Sequence, residues 1–168
     1  FFSSAKNHLY ILEGLLTLQH RHGIRLDAVF CGGGDPPDEA IVRRQIRALG
    51  LEDRVHLLGL VPDEHVPPLY EMAECLVMPS YTGPTNLPPI EAAWLGCPVI
   101  VSDMPGCREQ MGDAALYCDL ADPGDLAFHL HAILTDNEMG TRLKRAGRLL
   151  ADRLGSLDRK STRLNSSH

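Results

Sequence analysis

The sequence predicts an α/β fold in which a doubly wound parallel sheet is covered by helices on both faces. Two observations support this class: short, continuous apolar runs recur along the 168-residue chain, and amphipathic stretches separate them. Continuous apolar runs are typical of strands buried on both faces, and their alternation with helices favours parallel pairing. Because a domain takes roughly 150 residues, the length predicts one domain.

Each strand is predicted from an apolar run bounded by glycine, proline or polar residues. The predicted strands lie at 27–31, 55–58, 75–79, 98–102 and 115–118. The helices follow from apolar residues that recur every third or fourth position. They are predicted from Leu9 with a stop at Gly23, after Pro36-Pro37 with Gly50 just past the end, from Asp63, from Pro89 to Leu95 closed by Gly96, from Asp122, and from about Glu138 to Arg153, with a loop at Met104–Gly106.

Local signals fix some of these helix ends and faces. Asn7 is a candidate N-cap of the first helix, and Asp122, followed by a proline at the first helical position, is a candidate N-cap further on. In the second helix, Ile41, Ile46 and Leu49 are predicted to face the core. Because the strands are predicted to run parallel, the loops that follow them are expected at one edge of the sheet.

The composition excludes several classes of protein. Hydrophobic residues make up 44% and charged residues 23%, which is typical of a globular domain rather than a disordered one. The net charge of −6 and the lack of a basic stripe argue against nucleic acid as a partner. No apolar run approaches the ~18 residues of a membrane span, and no export signal is recognised. The expected location is therefore cytoplasmic.

Cysteine and histidine spacing argues against a metal site. The five cysteines form an odd set without a Cys-x-x-Cys pair, and we expect them to be small buried residues in a reducing compartment. His20 and His22, like His129 and His131, are two positions apart and so diverge on a helix. We expect no metal and no cofactor.

The two ends of the sequence look foreign to a complete domain. Residues 158–168 read as the translation of a common sequencing adapter, so the domain is expected to span 1–157 and the rest to be a tail. Without the tail the chain has 13 basic and 21 acidic residues, a net charge of −8. The start lacks a methionine and runs at once into a helix, so we expect an N-terminal truncation inside a larger protein.

The loop after the third predicted strand is the most informative stretch for function. It leads from Ser80 directly into a helix start, where free N–H groups and the helix dipole stabilise a phosphate. Since two prolines follow, the amides of Thr85, Asn86 and Leu87 are the candidate donors. Glu91 lies in the first turn of the predicted helix. It either accepts hydrogen bonds from a sugar diol or is a favourable charge at a helix N-terminus. The spacing alone leaves both roles open.

The segment PSYTGPTNLPPIEAAWLGCPVI at 79–100 resembles the donor-sugar loop and following helix of GT-B glycosyltransferases of family 4, also called glycosyl transferases group 1. The resemblance extends over nearly all of residues 1–155, through Lys6-Asn7-His8, through Val55 to Gly59, and through Gly112 to Ala115. It implies the C-terminal, Rossmann-like half of a GT-B fold. In a retaining glycosyltransferase that half binds the nucleotide-sugar donor, and an N-terminal half, which we expect to be missing here, holds the acceptor.

The resemblance also implies roles for individual residues. Lys6 matches the lysine that contacts the donor diphosphate, and Glu91 matches the second glutamate of the Glu-x7-Glu motif, which binds the ribose. The first glutamate of that motif falls at Gly83, where this sequence departs from the pattern. Thr85, Asn86 and Leu87 keep the loop that surrounds the diphosphate and the donor sugar. The arginine that accompanies the lysine has no counterpart in this sequence.

Two further positions are weaker candidates for donor binding. Gly33, in Gly32-Gly33-Gly34, either allows the nucleotide to approach the backbone or forms a plain turn. Its surroundings lack a Gly-x-Gly-x-x-Gly motif, which argues against a nicotinamide or flavin. Val61 matches a position of backbone contact to the base, or it is a valine at the edge of the core. For Arg108 and its neighbour Glu109, an exposed ion pair is the commoner explanation.

The expected function is therefore transfer of a hexose from a nucleoside-diphosphate sugar, with the isolated chain inactive because the acceptor half is missing. The expected partners are the donor and a sugar or glycan acceptor, with membrane contact only through the missing half. A non-catalytic nucleotide-sugar-binding module is an alternative that Gly83 suggests. A GT-B sugar-nucleotide epimerase is another, although it needs carboxylates and histidines that these loops rarely carry.

Overall fold

The computed structural model describes residues 4–34, 36–82 and 87–165. The strands are β1 (Ala28–Cys31), β2 (Val55–Gly59), β3 (Leu76–Met78), β4 (Val99–Ser102) and β5 (Leu116–Cys118). The helices are α1 (His8–His22), α2 (Pro36–Ala48), α3 (Val66–Met72), α4 (Leu87–Trp94), α5 (Pro105–Met111), α6 (Pro123–Thr135) and α7 (Asn137–Asn165). Short 3₁₀ turns lie at Ser4–Lys6, Asp63–His65 and Gly112–Ala114.

All strand pairs within these ranges are parallel, as the sequence predicts. β1 pairs with β2, and β3, β4 and β5 pair in that order. The register aligns Phe30 with Leu57 in the first sheet and Val77 with Ile100 in the second. Within the described ranges, β1 and β3 are each paired along one side only. The carboxyl ends of the strands in each sheet therefore point the same way.

Helices cover both faces of the second sheet, which confirms the doubly wound arrangement. In β4, Ile100 faces a core built mainly from α1, α2 and α6, whereas Val99 and Val101 face a second core built from α4 and α5. Alternate residues of a strand point to opposite faces, so one strand contributes to both cores. Gly147 lets α7 pass close to the backbone of Ala93 in α4.

Helix ends agree with the sequence in two places and differ in one. Asp122 caps α6, its carboxylate accepting from the Gly124 amide at 2.7 Å, and Gly23 ends α1 in the left-handed conformation. Asn7 precedes α1 as predicted, but its side chain makes no capping hydrogen bond. Instead its backbone is left-handed, with φ 53° and ψ 48°. This conformation changes the direction of the chain at the start of α1.

Three local predictions are wrong for physical reasons. Ile41 is 44% exposed, and the inward stripe of α2 runs through Val42 and Ile46, one turn apart. The region predicted as a loop at Met104–Gly106 begins α5, because its proline occupies the first helical turn, where no N–H is needed. Cys31 is exposed at the end of β1 rather than buried.

The last helix is longer than predicted. α7 continues to Asn165 and crosses residue 157 without a break. The boundary between a domain and a tail at that point stays a prediction. Over the part of the chain with described structure, no helix is both long enough and apolar enough to span a membrane.

Candidate functional site

The candidate site lies where the parallel strands end. Open parallel sheets bind ligands outside the carboxyl ends of their strands, because loops, helix N-termini and free backbone groups meet there. In this chain those loops follow β1 at Cys31, β2 at Gly59, β3 at Met78, and β4 at Ser102. Three of the predicted site residues, Gly83, Thr85 and Asn86, lie outside the described residues.

The residue before Lys6 is hydrogen-bonded to the loop after β3. The carbonyl of this residue, Ala5, accepts a hydrogen bond from the Tyr81 amide at 2.9 Å and another from the Ser80 hydroxyl at 3.1 Å. Ser80 is 3% exposed, whereas Tyr81 is 53% exposed, so the junction is buried on the serine side only. The chain thus holds the predicted diphosphate-binding lysine beside the loop that resembles the donor-sugar loop.

Two serines that sequence reasoning missed hold this loop to the sheet. The hydroxyl of Ser102, at the end of β4, donates to the carbonyl of Ser80 at 2.6 Å, and both residues are buried. A buried hydroxyl must find a partner, so the pair fixes the position at which the chain leaves β3. The available signal was a serine at or just beyond the end of each of two apolar strands.

His8 and Lys6 lie on either side of Asn7 at the start of α1. The His8 ring packs edge-on against Phe30 of β1, with ring centroids 5.0 Å apart. Burial, reinforced by the positive charge of Lys6, lowers the pKa of His8 from 6.5 to about 4. At neutral pH His8 is therefore uncharged, and the positive charge at this corner comes from Lys6.

Helix α4 begins at Leu87 and carries Glu91. Leu87 is 65% exposed, and Pro89 is buried, so the first turn is anchored on one side and open on the other. The amides of a first helical turn have no partner within the helix, and the prolines at 88 and 89 supply none. α4 begins two residues before the predicted start at Pro89, so Leu87 lies in its first turn; its role as an amide donor stays a prediction. Glu91 is exposed.

Tyr70 in α3 contacts Glu91, which the sequence did not reveal. The phenol donates to Glu91 Oε2 at 3.4 Å. Burial and, next, the nearby Glu91 carboxylate raise the pKa of Tyr70 well above its usual value of 10. Tyr70 is thus a protonated donor at any physiological pH, and Cys31 at the end of β1 also contributes to its electrostatic surroundings. The contact links α3 to α4.

The two weaker candidates lie in neighbouring loops. The Gly32 amide donates to the Gly59 carbonyl at 2.7 Å and so holds the loop after β1 to the end of β2. A Cβ on Gly33 would come within 3.1 Å of the Leu60 side chain. Because Leu60 is 83% exposed, a small shift of its side chain would accommodate this Cβ, so packing alone does not require glycine at this position. Val61 is partly exposed and follows Leu60 in the same loop.

A shallow groove of about 680 Å³ lies beyond the ends of β4 and β5. Its lining consists of Tyr81, Asp103, Met104, Asp119, Leu120 and Ala121. Arg108 pairs with Asp103 through bonds of 2.5 and 2.8 Å, not with its neighbour Glu109, and lies 4.4 Å from the centre of the Tyr117 ring. Hydrogen bonding to Arg108 lowers the pKa of Asp103.

The described part of the chain contains no group of three or more histidine, cysteine, aspartate or glutamate side chains placed to hold a metal ion. His22 and His131 do meet, but their rings stack at 4.0 Å between centroids instead of converging on a common point. The polar groups gathered at the strand ends are a lysine, backbone amides and carboxylates. This set suits an anionic ligand that also carries hydroxyl groups.

The fold is that of a Rossmann-like domain with a candidate site at the strand ends. The chain belongs to the glycosyl transferases group 1 family, whose family model matches residues 2–150. Its fold is that of the C-terminal half of a GT-B protein. HepE from Anabaena, solved in complex with UDP, superposes with a TM-score of 0.83 at 20% identity, over 99% of this chain and 47% of that one.

Curated relatives agree with the family. Mannosylfructose-phosphate synthase from Agrobacterium fabrum is 32% identical over 149 residues, which is 84% of this chain and 33% of that protein. O-antigen chain mannosyltransferase B from Escherichia coli is 37% identical over 86 residues, 51% of this chain and 23% of that protein. The chain thus spans a third or less of the length of these relatives.

Proposed function

We propose that this chain binds a nucleoside-diphosphate sugar as the donor-binding half of a retaining family 4 glycosyltransferase. The acceptor, a sugar or glycan, would be held by a part of such proteins that has no counterpart in this sequence. Family membership supports the reaction class. The names of the relatives point to sugar transfer and sugar-phosphate synthesis, and HepE was solved with UDP. On this proposal residues 1–157 bind donor but transfer no sugar by themselves.

The observation that carries the proposal is the double hydrogen bond to the Ala5 carbonyl. It ties the segment bearing Lys6 to Ser80 and Tyr81, directly before the loop that enters α4. Two segments far apart in sequence thereby meet at one strand end. A cation and a helix N-terminus together form an electrostatic environment suited to a diphosphate.

The chemistry follows from the charges that develop during transfer. When the bond between the sugar and the diphosphate breaks, negative charge grows on the leaving phosphate. Lys6 and the amides that lead into α4 stabilise that charge without rearranging. Of the three candidate amides, only that of Leu87 lies within the described residues. Glu91 accepts hydrogen bonds from the ribose diol and orients the nucleotide. Because Lys6 and helix amides provide the positive charge, we expect donor binding without a metal ion.

Calorimetric titration with UDP-glucose and GDP-mannose in the presence of EDTA tests the proposal. At least one donor is expected to bind, and Lys6→Ala and Glu91→Ala should each weaken it by about tenfold or more, as charge-assisted hydrogen bonds are lost. Circular dichroism should show an unchanged fold. Lys144→Ala on α7 and Glu52→Ala before β2 are matched controls, because both side chains are exposed away from the strand ends.

Three results would contradict parts of the proposal. If both Lys6→Ala and Glu91→Ala bind donor as the unmodified chain does, the assigned cleft is wrong. If residues 1–157 alone transfer sugar to an added acceptor, the division of labour between donor and acceptor halves is wrong. Restoration of binding by removing EDTA and adding a divalent cation would overturn the expectation of a metal-free site.

Gly83 favours a second candidate, a nucleotide-sugar-binding module without catalysis. It occupies the place of the first motif glutamate, so a carboxylate near the transferred sugar is missing. Replacing Gly83 with glutamate separates the two functions. In an enzyme that works with glycine at this position, the substitution should disturb donor binding. In a module that has lost a catalytic glutamate, it should leave binding intact or improve it.

A further inference from the structure

Glu91 has a neighbour that its proposed role does not account for. Helix α3 contains no buried residue, yet Tyr70, near its end, is partly buried and extends its hydroxyl to Glu91 on α4. Its ring packs against the core formed by α4, β4 and α5. The ring is therefore fixed, and the hydroxyl is held at a defined point beside an exposed carboxylate.

We propose that Tyr70 is a positioning residue. It holds the Glu91 carboxylate in the orientation needed to accept hydrogen bonds from the ribose diol. The proposal rests on the proposed function, in which Glu91 binds the ribose. Tyr70 itself touches no substrate. It acts on the nucleotide only through the orientation of Glu91.

The need for such a residue follows from the flexibility of glutamate. An exposed glutamate side chain samples several rotamers. A ligand that requires one of these rotamers binds more weakly, because the side chain loses conformational entropy on binding. A hydrogen-bond donor on the protein that already contacts one carboxylate oxygen restricts the glutamate before the ligand binds. The loss of affinity is then smaller. Glu91 Oε2 faces the tyrosine, so Oε1 is left for hydroxyl groups.

A phenol suits this task better than a cation. A lysine or arginine would neutralise Glu91 and compete with the diol for both oxygens. The tyrosine hydroxyl donates one hydrogen bond and carries no charge, because burial and the adjacent carboxylate keep it protonated. The distance of 3.4 Å is longer than an optimal O–H···O bond. Contacts of this kind commonly shorten when a ligand orders the site.

Tyr70→Phe is the test, because it removes the hydroxyl and keeps the ring in the core. The probes are UDP or GDP, whichever the chain binds, and the 2′,3′-dideoxy form of the same nucleotide. We expect Tyr70→Phe to weaken binding of the ribonucleotide by about three- to tenfold, the usual range for one hydrogen bond. Binding of the dideoxynucleotide should be the same in Tyr70→Phe and in the unmodified chain, because this nucleotide has no ribose hydroxyls to donate hydrogen bonds to Glu91.

A double-mutant cycle with Glu91→Ala provides the second readout. If Tyr70 acts through Glu91, adding Tyr70→Phe to Glu91→Ala causes no further loss of affinity. Tyr117→Phe is the matched control. It also removes a tyrosine hydroxyl, one that donates to the Gly112 carbonyl, and it should leave nucleotide binding unchanged.

Each remaining outcome overturns the inference in a recognisable way. Equal losses for both nucleotides mean that Tyr70 supports the fold of the site rather than Glu91. Unchanged ribonucleotide binding in Tyr70→Phe, with Glu91→Ala still impaired, rejects the positioning role and leaves the proposed function intact. If Glu91→Ala itself binds the ribonucleotide normally, the proposed ribose contact fails and the inference fails with it.

Discussion

The two parallel sheets are built from similar apolar runs but are buried very differently. All four residues of β4 are buried, whereas in β1 only Phe30 is. β4 has a strand on each side and a core on each face, so every side chain finds a packed neighbour. β1 pairs with β2, and only the face of this sheet that carries Phe30, Val55 and Leu57 joins a core.

The opposite face of the β1–β2 sheet is open in the described structure. Val29 and Leu58 are each 49% exposed on it, and α3 buries none of its residues. An apolar run therefore predicts a strand, but it does not predict how many faces of that strand are covered. The second sheet is expected to carry most of the stability of the chain, and the first to tolerate change.

The largest expected effect comes from the same substitution made in both sheets. Val99→Ala in β4 removes a side chain that is 0% exposed, whereas Val29→Ala in β1 removes one that is 49% exposed. We expect Val99→Ala to lower the free energy of unfolding by about 2 kcal/mol or more, through lost burial and a residual cavity. Val29→Ala should change it by no more than about 0.5 kcal/mol.

Urea denaturation monitored by circular dichroism measures both values on the whole chain. Equal losses for the two variants would show that the exposed face of the first sheet is covered in solution. That result would remove the contrast between the sheets and call for a search for what covers Val29.

The contrast also explains which features the sequence could predict. Helix and strand types followed from periodicity and caps, and Asp122 capped α6 as expected because its signal is local. The inward stripe of α2 was missed, since choosing Val42 over Ile41 depends on where the helix docks. The roles of Lys6 and Glu91 were predicted from family motifs and stay predictions. Tyr70 was not predicted, because its contact with Glu91 joins two helices that no spacing rule connects.

A smaller effect is expected from His8, which packs on the one buried residue of β1. Its pKa is about 4 in the folded chain and 6.5 ordinarily, so as the pH falls the unfolded chain takes up the proton first. Stability should fall between about pH 6.5 and about pH 4, and then level off with respect to this group. We expect a loss of roughly 1 to 2 kcal/mol, less than the full value for such a shift because His8 remains partly exposed.

Unfolding by urea at several pH values checks the His8 prediction. His8→Gln should lose less stability than the unmodified chain over this window, because no proton binds at that position. His20→Gln, an exposed histidine of the same helix, is the control and should keep the original pH dependence. A His8→Gln variant with an unchanged pH dependence would mean that His8 is protonated equally in the folded and unfolded chain.

The smallest expected effect, and the only gain, concerns Asn7 between Lys6 and His8. In the described structure Asn7 is the one residue other than glycine with a positive φ, 53°, and its buried Nδ2 has no hydrogen-bond partner. A left-handed backbone is unfavourable for residues with a Cβ, and an unpaired buried donor is unfavourable as well. Asn7→Gly removes both and should raise the free energy of unfolding by about 1 kcal/mol, measured by urea denaturation.

Asn7→Ala separates the two causes. Alanine also removes the unpaired amide but keeps a Cβ in the left-handed conformation, which it tolerates less well than asparagine does. If the backbone dominates, Asn7→Gly stabilises the chain and Asn7→Ala does not; if the buried amide dominates, both do. A destabilised Asn7→Gly would show that the asparagine side chain makes favourable contacts that outweigh both costs. In that case Asn7 would stabilise the junction between Lys6 and α1 despite its left-handed backbone.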